Sequence, residues 1–482
     1  MNARSLPASA SELHRHWREG TTDWVSGRDA RDPERGRPAR HLCLSLRLAI
    51  IVWLIVGAAV SVRTVVRPSK HTVFPIFAAS AEHWWGNHSL YELYPGLDRF
   101  RYPPLFALFV TPFSALGLTT GGILWSWLSI AAFLAGLWAY ARDVIPSVWT
   151  RQRVGTFLIL GALGALRGLW NAQSNALITG FILLGTAALA RAVHSESKDS
   201  DHGASNAVWW LAAMFLALSI CLKLTPLAPL LLLVIVWPRQ LAWRLLAVMV
   251  GLFLLPFLTR PPGIVLDHYR EWIGHLMESG NVRWIGFRDG WTVWLVLNHL
   301  LGGEPGGFEL GEPMASSWYR LVQLASGAAA LAWCLLQRHR AGQRGLEPRW
   351  LIHVTLSMGL AWLMLFGPAV EHATYVFLAP PLLWALLERR AWPHGRGLIW
   401  ASFFFIMVLG WGVVSRLLAP DWPVLLTALP AGTALFTLWL IGYARNCATL
   451  TTTFSSNLHL PTHERLIPCM QPKYETRIPS KG

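Results

Sequence analysis

The chain has 482 residues, 54% of them hydrophobic and only 14% charged, with a mean hydropathy of +0.39. A soluble chain of this length covers its surface with roughly 25% charged side chains. Here the apolar residues run in long blocks, which excludes soluble globular, collagenous, coiled-coil, disordered and disulfide-scaffold classes and leaves an all-α polytopic membrane protein. The net charge of +15, from 41 Lys and Arg against 26 Asp and Glu, sits mainly in the tails and in short loops between apolar blocks. That is the positive-inside pattern rather than a nucleic-acid-binding surface.

Residues 1–45 are polar and Arg-rich without a cleavage pattern, and are expected to form a cytoplasmic tail. Residues 46–443 form the transmembrane domain and 444–482 a second cytoplasmic tail. Apolar runs predict helices at 48–66, 103–118, 121–141, 154–166, 172–192, 207–222, 224–237, 241–259, 318–337, 350–367, 372–388, 397–417 and 423–443. Basic loops at 142–153, 191–198, 239–244, 338–349 and 389–396 are expected inside. This leaves Gln173, Lys223 and Glu371 facing out, with outer loops at 67–102 and 260–317. Crossing at every run would put the two basic tails on opposite sides, so one run is not a full crossing. The short runs 103–118, interrupted by Pro112, and 154–166 are the candidates, which gives about twelve true spans. Each of the 28 Trp favours the membrane–water interface. In the first outer loop Phe74, Phe77, Ala81 and Trp85 recur at helical spacing opposite Ser80, Glu82 and His83, which predicts an interfacial amphipathic helix.

Ionisable and amide side chains at membrane depth are functional candidates by default. Lys223, between apolar runs and before Pro226, suits phosphate neutralisation; the alternative is a lysine that snorkels to the interface. Arg167, Asn171, Gln173 and Asn175 form a polar cluster that suits hydrogen bonding to sugar or phosphate, or simple capping of the next helix. Arg99, Arg101 and Tyr102 precede Pro103-Pro104, where guanidinium groups suit a phosphate clamp or an interfacial anchor. Glu371, beside His372, suits a general base or a loop carboxylate in headgroup water. The five cysteines support neither a disulfide nor a zinc site. No phosphate-binding loop, dinucleotide fingerprint or hydrolase motif is present, and neither a cofactor nor a metal is expected.

Tyr91, Arg101-Tyr102-Pro103-Pro104-Leu105-Phe106-Ala107-Leu108-Phe109 and Pro112-Phe113 together resemble the signature of glycosyltransferase family 87. Asn171-Ala172-Gln173-Ser174-Asn175 resembles its Gly-Gln-x-Asn segment, with Ala172 in the glycine position. Leu222-Lys223-Leu224-Thr225-Pro226 resembles its Lys-x-x-Pro segment, and Glu371-His372 through Ala379-Pro380-Pro381 its late helix start. The resemblance covers about 70–385 and implies a GT-C-like bundle in the plasma membrane. It implies transfer of a hexose, mannose in similar enzymes, from a polyprenyl-phosphate donor to a glycan or glycolipid acceptor on the outer face, with inversion. Lys223, Arg101 and Arg167 then bind the donor phosphate, and Tyr102, Gln173, Asn175 and His372 the sugar or acceptor. The family places an Asp in the first outer loop where this chain has Thr72. A hydroxyl cannot replace a carboxylate base, so Glu371 and next Asp98 are the expected substitutes, ahead of Glu82. The competing expectations are a transporter or flippase for lipid-linked or small solutes, and an inactive relative.

Overall fold

The computed structural model describes residues 37–69, 72–92, 94, 96–146, 148, 153–196, 202–279, 284–285, 292–293, 308–309, 317–367, 370–388, 395–411, 414 and 427–456. The ends of both expected tails lie outside these residues, as do Arg283, Arg288, Asp289 and Trp291 of the second outer loop and Arg389.

The described elements are helical except for a two-residue antiparallel ladder that pairs β1 (Trp284–Ile285) with β2 (Phe308–Glu309). The long apolar runs become helices because a backbone in lipid must satisfy its polar groups within its own segment. In order they are α1 (Arg37–Val66), α2 (Phe74–Gly86), α3 (Pro104–Ser114), α4 (Gly117–Asp143), α5 (Val154–Trp170), α6 (Asn175–Glu196), α7 (His202–Leu222) and α8 (Leu227–Val236). A π turn (Pro238–Ala242), α9 (Trp243–Leu254) and a 3-10 turn (Leu255–Leu258) then make one continuous rod, followed by α10 (Pro262–Ser279). After the ladder come α11 (Ser317–Arg344), α12 (Pro348–Phe366), a 3-10 turn (His372–Phe377), α13 (Ala379–Leu387), α14 (Arg396–Phe403) ending in a π turn (Phe404–Leu409), and α15 (Ala428–Ser456). Five of these rods, Ser45–Val66, Gly117–Asp143, Asn175–Glu196, Pro238–Leu258 and Pro348–Phe366, are long and apolar enough to cross a bilayer. The protein is a multi-pass membrane protein. Helices continue past the expected tail boundaries, since α1 begins at Arg37 and α15 runs to Ser456.

The bundle centres on α4, α6 and α7. Gly136 and Gly180 let α4 and α6 approach so closely that a Cβ added to Gly180 would lie 2.4 Å from the Ala132 carbonyl oxygen. Small residues at such crossings replace the hydrophobic drive that lipid cannot provide. Buried polar groups add ties: Trp53 Nε1 donates to the Leu158 carbonyl at 3.0 Å, joining α1 to α5, and the Tyr140 hydroxyl lies 2.7 Å from His353 Nδ1, joining α4 to α12.

Two expectations need correction. The run 103–118 is not one rod: α3 stops at Ser114 and Gly117, at φ 78°, opens α4. The last turn of α3 stays beside α2, with Trp85 Nε1 donating to Thr111 Oγ1 at 3.0 Å and Ser114 Oγ to the Ala78 carbonyl at 3.2 Å. Secondly, the buried face of α2 is wider than its forecast apolar stripe and differs from it at the C-terminal end. Phe74, Phe77 and Ala81 are buried, but so is Ser80, and Trp84 rather than Trp85 faces the core. The reason is that α2 packs between α3 and α10, with two protein faces to satisfy, and Ser80 meets its need by donating to the Phe77 carbonyl at 2.7 Å. A second core of aromatic rings forms there: Phe77 stands 4.7 Å from Phe106 and 5.5 Å from Trp125, centroid to centroid.

Candidate active site

The site lies where α5 ends, α6 begins, α7 ends and α12 ends, so these termini share one end of the bundle. The basic segments 142–153, 191–198, 239–244 and 338–349 join the opposite helix ends. The turn between α5 and α6 is wound tightly, with Asn171 N donating to Arg167 O at 3.2 Å, Ala172 N to Leu169 O at 3.0 Å and Gln173 N to Gly168 O at 2.9 Å. Closing it puts Ala172 at φ 52°, in the left-handed region. An L-residue pays roughly 1–2 kcal/mol there, offset in part by the bond from Trp125 Nε1 to the Ala172 carbonyl at 2.9 Å. This is where the resemblance has glycine.

From that turn a continuous hydrogen-bonded chain runs across the site. Lys223 Nζ donates to Asn175 Oδ1 at 2.7 Å, Asn175 Nδ2 to Gln173 Oε1 at 2.9 Å, and Gln173 Nε2 to Glu371 Oε2 at 2.8 Å. Asn175 is fully buried, while Lys223, Gln173 and Glu371 are half-buried. Tyr102 closes the cation end, its ring 5.9 Å from Lys223 Nζ. It stacks on Phe106 at 4.3 Å and receives a bond from Ser174 Oγ to its hydroxyl at 3.2 Å. Five residues singled out by sequence (Tyr102, Gln173, Asn175, Lys223 and Glu371) therefore meet. Ser174 and Tyr91, whose hydroxyl donates to the Tyr102 carbonyl at 2.9 Å, also hold the site. Their roles were not foreseen, although both lie inside the quoted motifs.

The other expected residues stand elsewhere. Arg167 and His372 line a narrow crevice of about 30 Å3 with Tyr375, Met407, Gly410 and Trp411. They thus form a second polar focus beside Glu371. Asp98, Arg99 and Arg101 lie exposed in the segment leading to α3, and Glu82 is exposed on α2. Thr72 sits against the 171–175 turn, its Oγ1 3.4 Å from the Asn171 carbonyl and 3.4 Å from the Phe74 amide that it helps to cap.

Helix α10 covers this region from outside. It buries Val265, His268, Trp272 and His275, spaced along one face, with His268 beside Trp84 of α2 and His275 beside Tyr91. Ser89 Oγ donates to Glu271 Oε2 at 2.7 Å, and Arg260 bonds the Trp85 carbonyl. Burial holds the Tyr91 phenol well above its ordinary range, reinforced by Glu271, Tyr269 and Tyr94, so it remains a donor. Burial pushes His268 below the ordinary histidine value, with Arg260 acting in the same direction and Glu271 and Asp267 opposing. Among the described residues no group of three His, Cys, Asp or Glu side chains stands close enough to ligate a metal.

The sequence profile of glycosyltransferase family 87 matches residues 100–368. The chain belongs to glycosyltransferase family 87. The family match takes in Tyr102, Gln173, Asn175 and Lys223, and ends just before Glu371 and His372. No curated protein matches the chain. Among solved structures it is similar to ArnT from Cupriavidus metallidurans bound to undecaprenyl phosphate, with 14% identity, 86% of this chain and 78% of that chain covered, and a TM-score of 0.41. The apo form of the same protein gives 13% identity, the same coverage and a TM-score of 0.37.

Proposed function

We propose that this family 87 protein transfers a hexose, mannose first among the candidates, from a polyprenyl-phosphate donor to a glycan or glycolipid acceptor at the outer face of the plasma membrane, with inversion. The observation that carries the reading is the hydrogen-bonded chain that joins a cation, Lys223, to a carboxylate, Glu371, at one end of the bundle. Inverting transfer needs both poles: positive charge for the departing phosphate and a carboxylate for the acceptor proton. Lys223, with Arg101 from the neighbouring segment, takes the donor phosphate. Glu371 draws the proton from the acceptor hydroxyl as its oxygen attacks the anomeric carbon from the face opposite the phosphate, the back-side logic of inverting sugar chemistry. Arg167 and His372 attend the acceptor side. Tyr102 packs against the sugar beside Lys223.

With Thr72 engaged with backbone groups, its hydroxyl replaces no carboxylate, and Glu371 is the residue that restores one. Twelve crossings follow when α3 is taken as a helix that stays at the outer end, and both tails are then cytoplasmic. The GT-C-like architecture belongs to the same reading. Pairing of the charged residues Lys223 and Glu371 through one relay at one end of the bundle, rather than charges spread through its depth, favours an enzyme over a transporter. The test is incubation of purified protein with radiolabelled polyprenyl-phosphate hexoses and membrane glycolipid acceptors. Transfer of label with inverted anomeric configuration is expected. No transfer from any of these donors would overturn the proposal.

A further inference from the structure

We infer that Gln173 and Asn175 are positioning residues that form a polarised amide relay. The relay keeps Oε2 of Glu371 a hydrogen-bond acceptor and directs the acceptor's proton to Oε1. The catalytic part of this inference rests on Glu371 being the base; the relay itself does not.

The direction of the chain is fixed by its ends. A lysine ammonium only donates and a carboxylate oxygen only accepts, while each amide between them brings one carbonyl and one amino group. Lys223 therefore turns the Asn175 carbonyl towards itself and the Asn175 amino group towards Gln173. Gln173 must then accept with its carbonyl and donate with its amino group to Glu371. The reverse order fails: an O–H at Oε2 of Glu371 that donated to Gln173 would turn both amides over and leave the Asn175 amino group facing the ammonium at 2.7 Å, donor against donor. Amide orientation is ordinarily an assignment from the surrounding network; here the two charged termini leave one solution.

Burial makes the constraint firm. Asn175 is 0% exposed, so neither water nor a sugar hydroxyl reaches it. Its backbone is held within α6, where Thr179 Oγ1 donates to its carbonyl at 2.7 Å. Gln173 is fixed by the turn that carries Ala172 in the left-handed region and ties Gln173 N to Gly168 O. Asn175 is thus an internal part of the protein, and Gln173 commits both polar atoms of its amide to Asn175 and Glu371. In the reaction the acceptor O–H bond breaks and its proton goes to Oε1. The oxygen's electron pair forms the bond to the anomeric carbon, and the bond from that carbon to the phosphate oxygen breaks, its pair leaving on the lipid phosphate.

Infrared spectra of the purified protein at neutral pH, compared with Glu371→Gln, identify the carboxylate stretching bands of Glu371 without any substrate. In Gln173→Met the carboxylate loses its donor, and its antisymmetric stretch moves to higher wavenumber. In Asn175→Ala, where the changed residue makes no hydrogen bond to Glu371, the band moves the same way because Gln173 is no longer held in one orientation. Gln173→Met also lowers kcat about tenfold while donor KM stays within about twofold, since the Lys223–Asn175 contact is retained. An unmoved band in either folded variant overturns the relay, as does a raised acceptor KM with an unmoved band, the signature of a sugar-binding amide. If the wild-type protein transfers no sugar, the spectrum still decides the relay, so failure of the catalytic reading is seen separately.

Discussion

Replacing Lys223 by Met keeps the length of the side chain and its fit between apolar runs but removes the charge. The ammonium is half-buried and uses one donor on Asn175 at 2.7 Å, leaving two for a ligand. A unit negative charge about 4 Å away interacts by roughly 4 kcal/mol at an effective dielectric constant near 20. Partial exposure halves that to about 2 kcal/mol, or about 30-fold in Kd. The assay is binding of polyprenyl phosphate to purified protein in nanodiscs, at two salt concentrations. Lys223→Met should bind about 30-fold more weakly and lose most of the wild-type salt dependence. Lys223→Arg should fall between, because a planar guanidinium fits the Asn175 carbonyl differently. A Kd for Lys223→Met within threefold of wild type would refute the assignment and leave Lys223 as an interfacial lysine.

Glu371→Gln retains an acceptor for Gln173 and so folds, but transfer should fall by a factor of about 10² or more. Asp98→Asn at matched expression should stay within about threefold of wild type, and the opposite ranking would move the base to Asp98. Gly180→Ala drives a Cβ to 2.4 Å from the Ala132 carbonyl oxygen and should cost about 1–3 kcal/mol; an undiminished melting temperature in detergent would contradict the α4–α6 contact. His268 is buried at 5% exposure with its affinity for protons lowered, so docking of α10 is favoured above the free-histidine value of about 6.5 and weakens as pH falls below it. The protection factors of amides at 83–92, taken relative to the intrinsic exchange rate at each pH, should therefore fall between pH 7.5 and 5 and lose that dependence in His268→Phe. Impermeant labelling of a single cysteine placed at Arg344 in intact cells should fail while one near Glu371 succeeds, and the reverse would invert the topology.

The residues of the site were legible because polar groups at the ends of apolar runs are costly and hence conspicuous. Gln173, Asn175, Lys223 and Glu371 stand out on that ground alone. What the sequence could not show was which of them touch one another. The Gln173–Glu371 contact spans 198 residues, and nothing in the local pattern distinguishes an amide that meets a carboxylate from one that meets a ligand. Helix α2 illustrates a different limit. Its period was readable, but which side faced protein depended on α10, whose buried His268 and His275 look like surface residues in a polar loop. The parity conflict among the apolar runs was likewise visible, but the contacts of Thr111 and Ser114 that hold α3 beside α2 were not.

The order in which the chain of hydrogen bonds closes bears on how the protein is made. Lys223 follows Asn175 by 48 residues, so cation and amide meet while the two helices are still entering the membrane. Glu371 emerges 198 residues after Gln173, a delay of about ten to forty seconds at ordinary rates of synthesis. Through that interval the ammonium already has a neutral partner, whereas the carboxylate arrives to find its donor waiting. The late segment is thereby offered a ready-made berth, and a chain truncated before residue 371 would carry the cationic half of the pair into the bilayer alone.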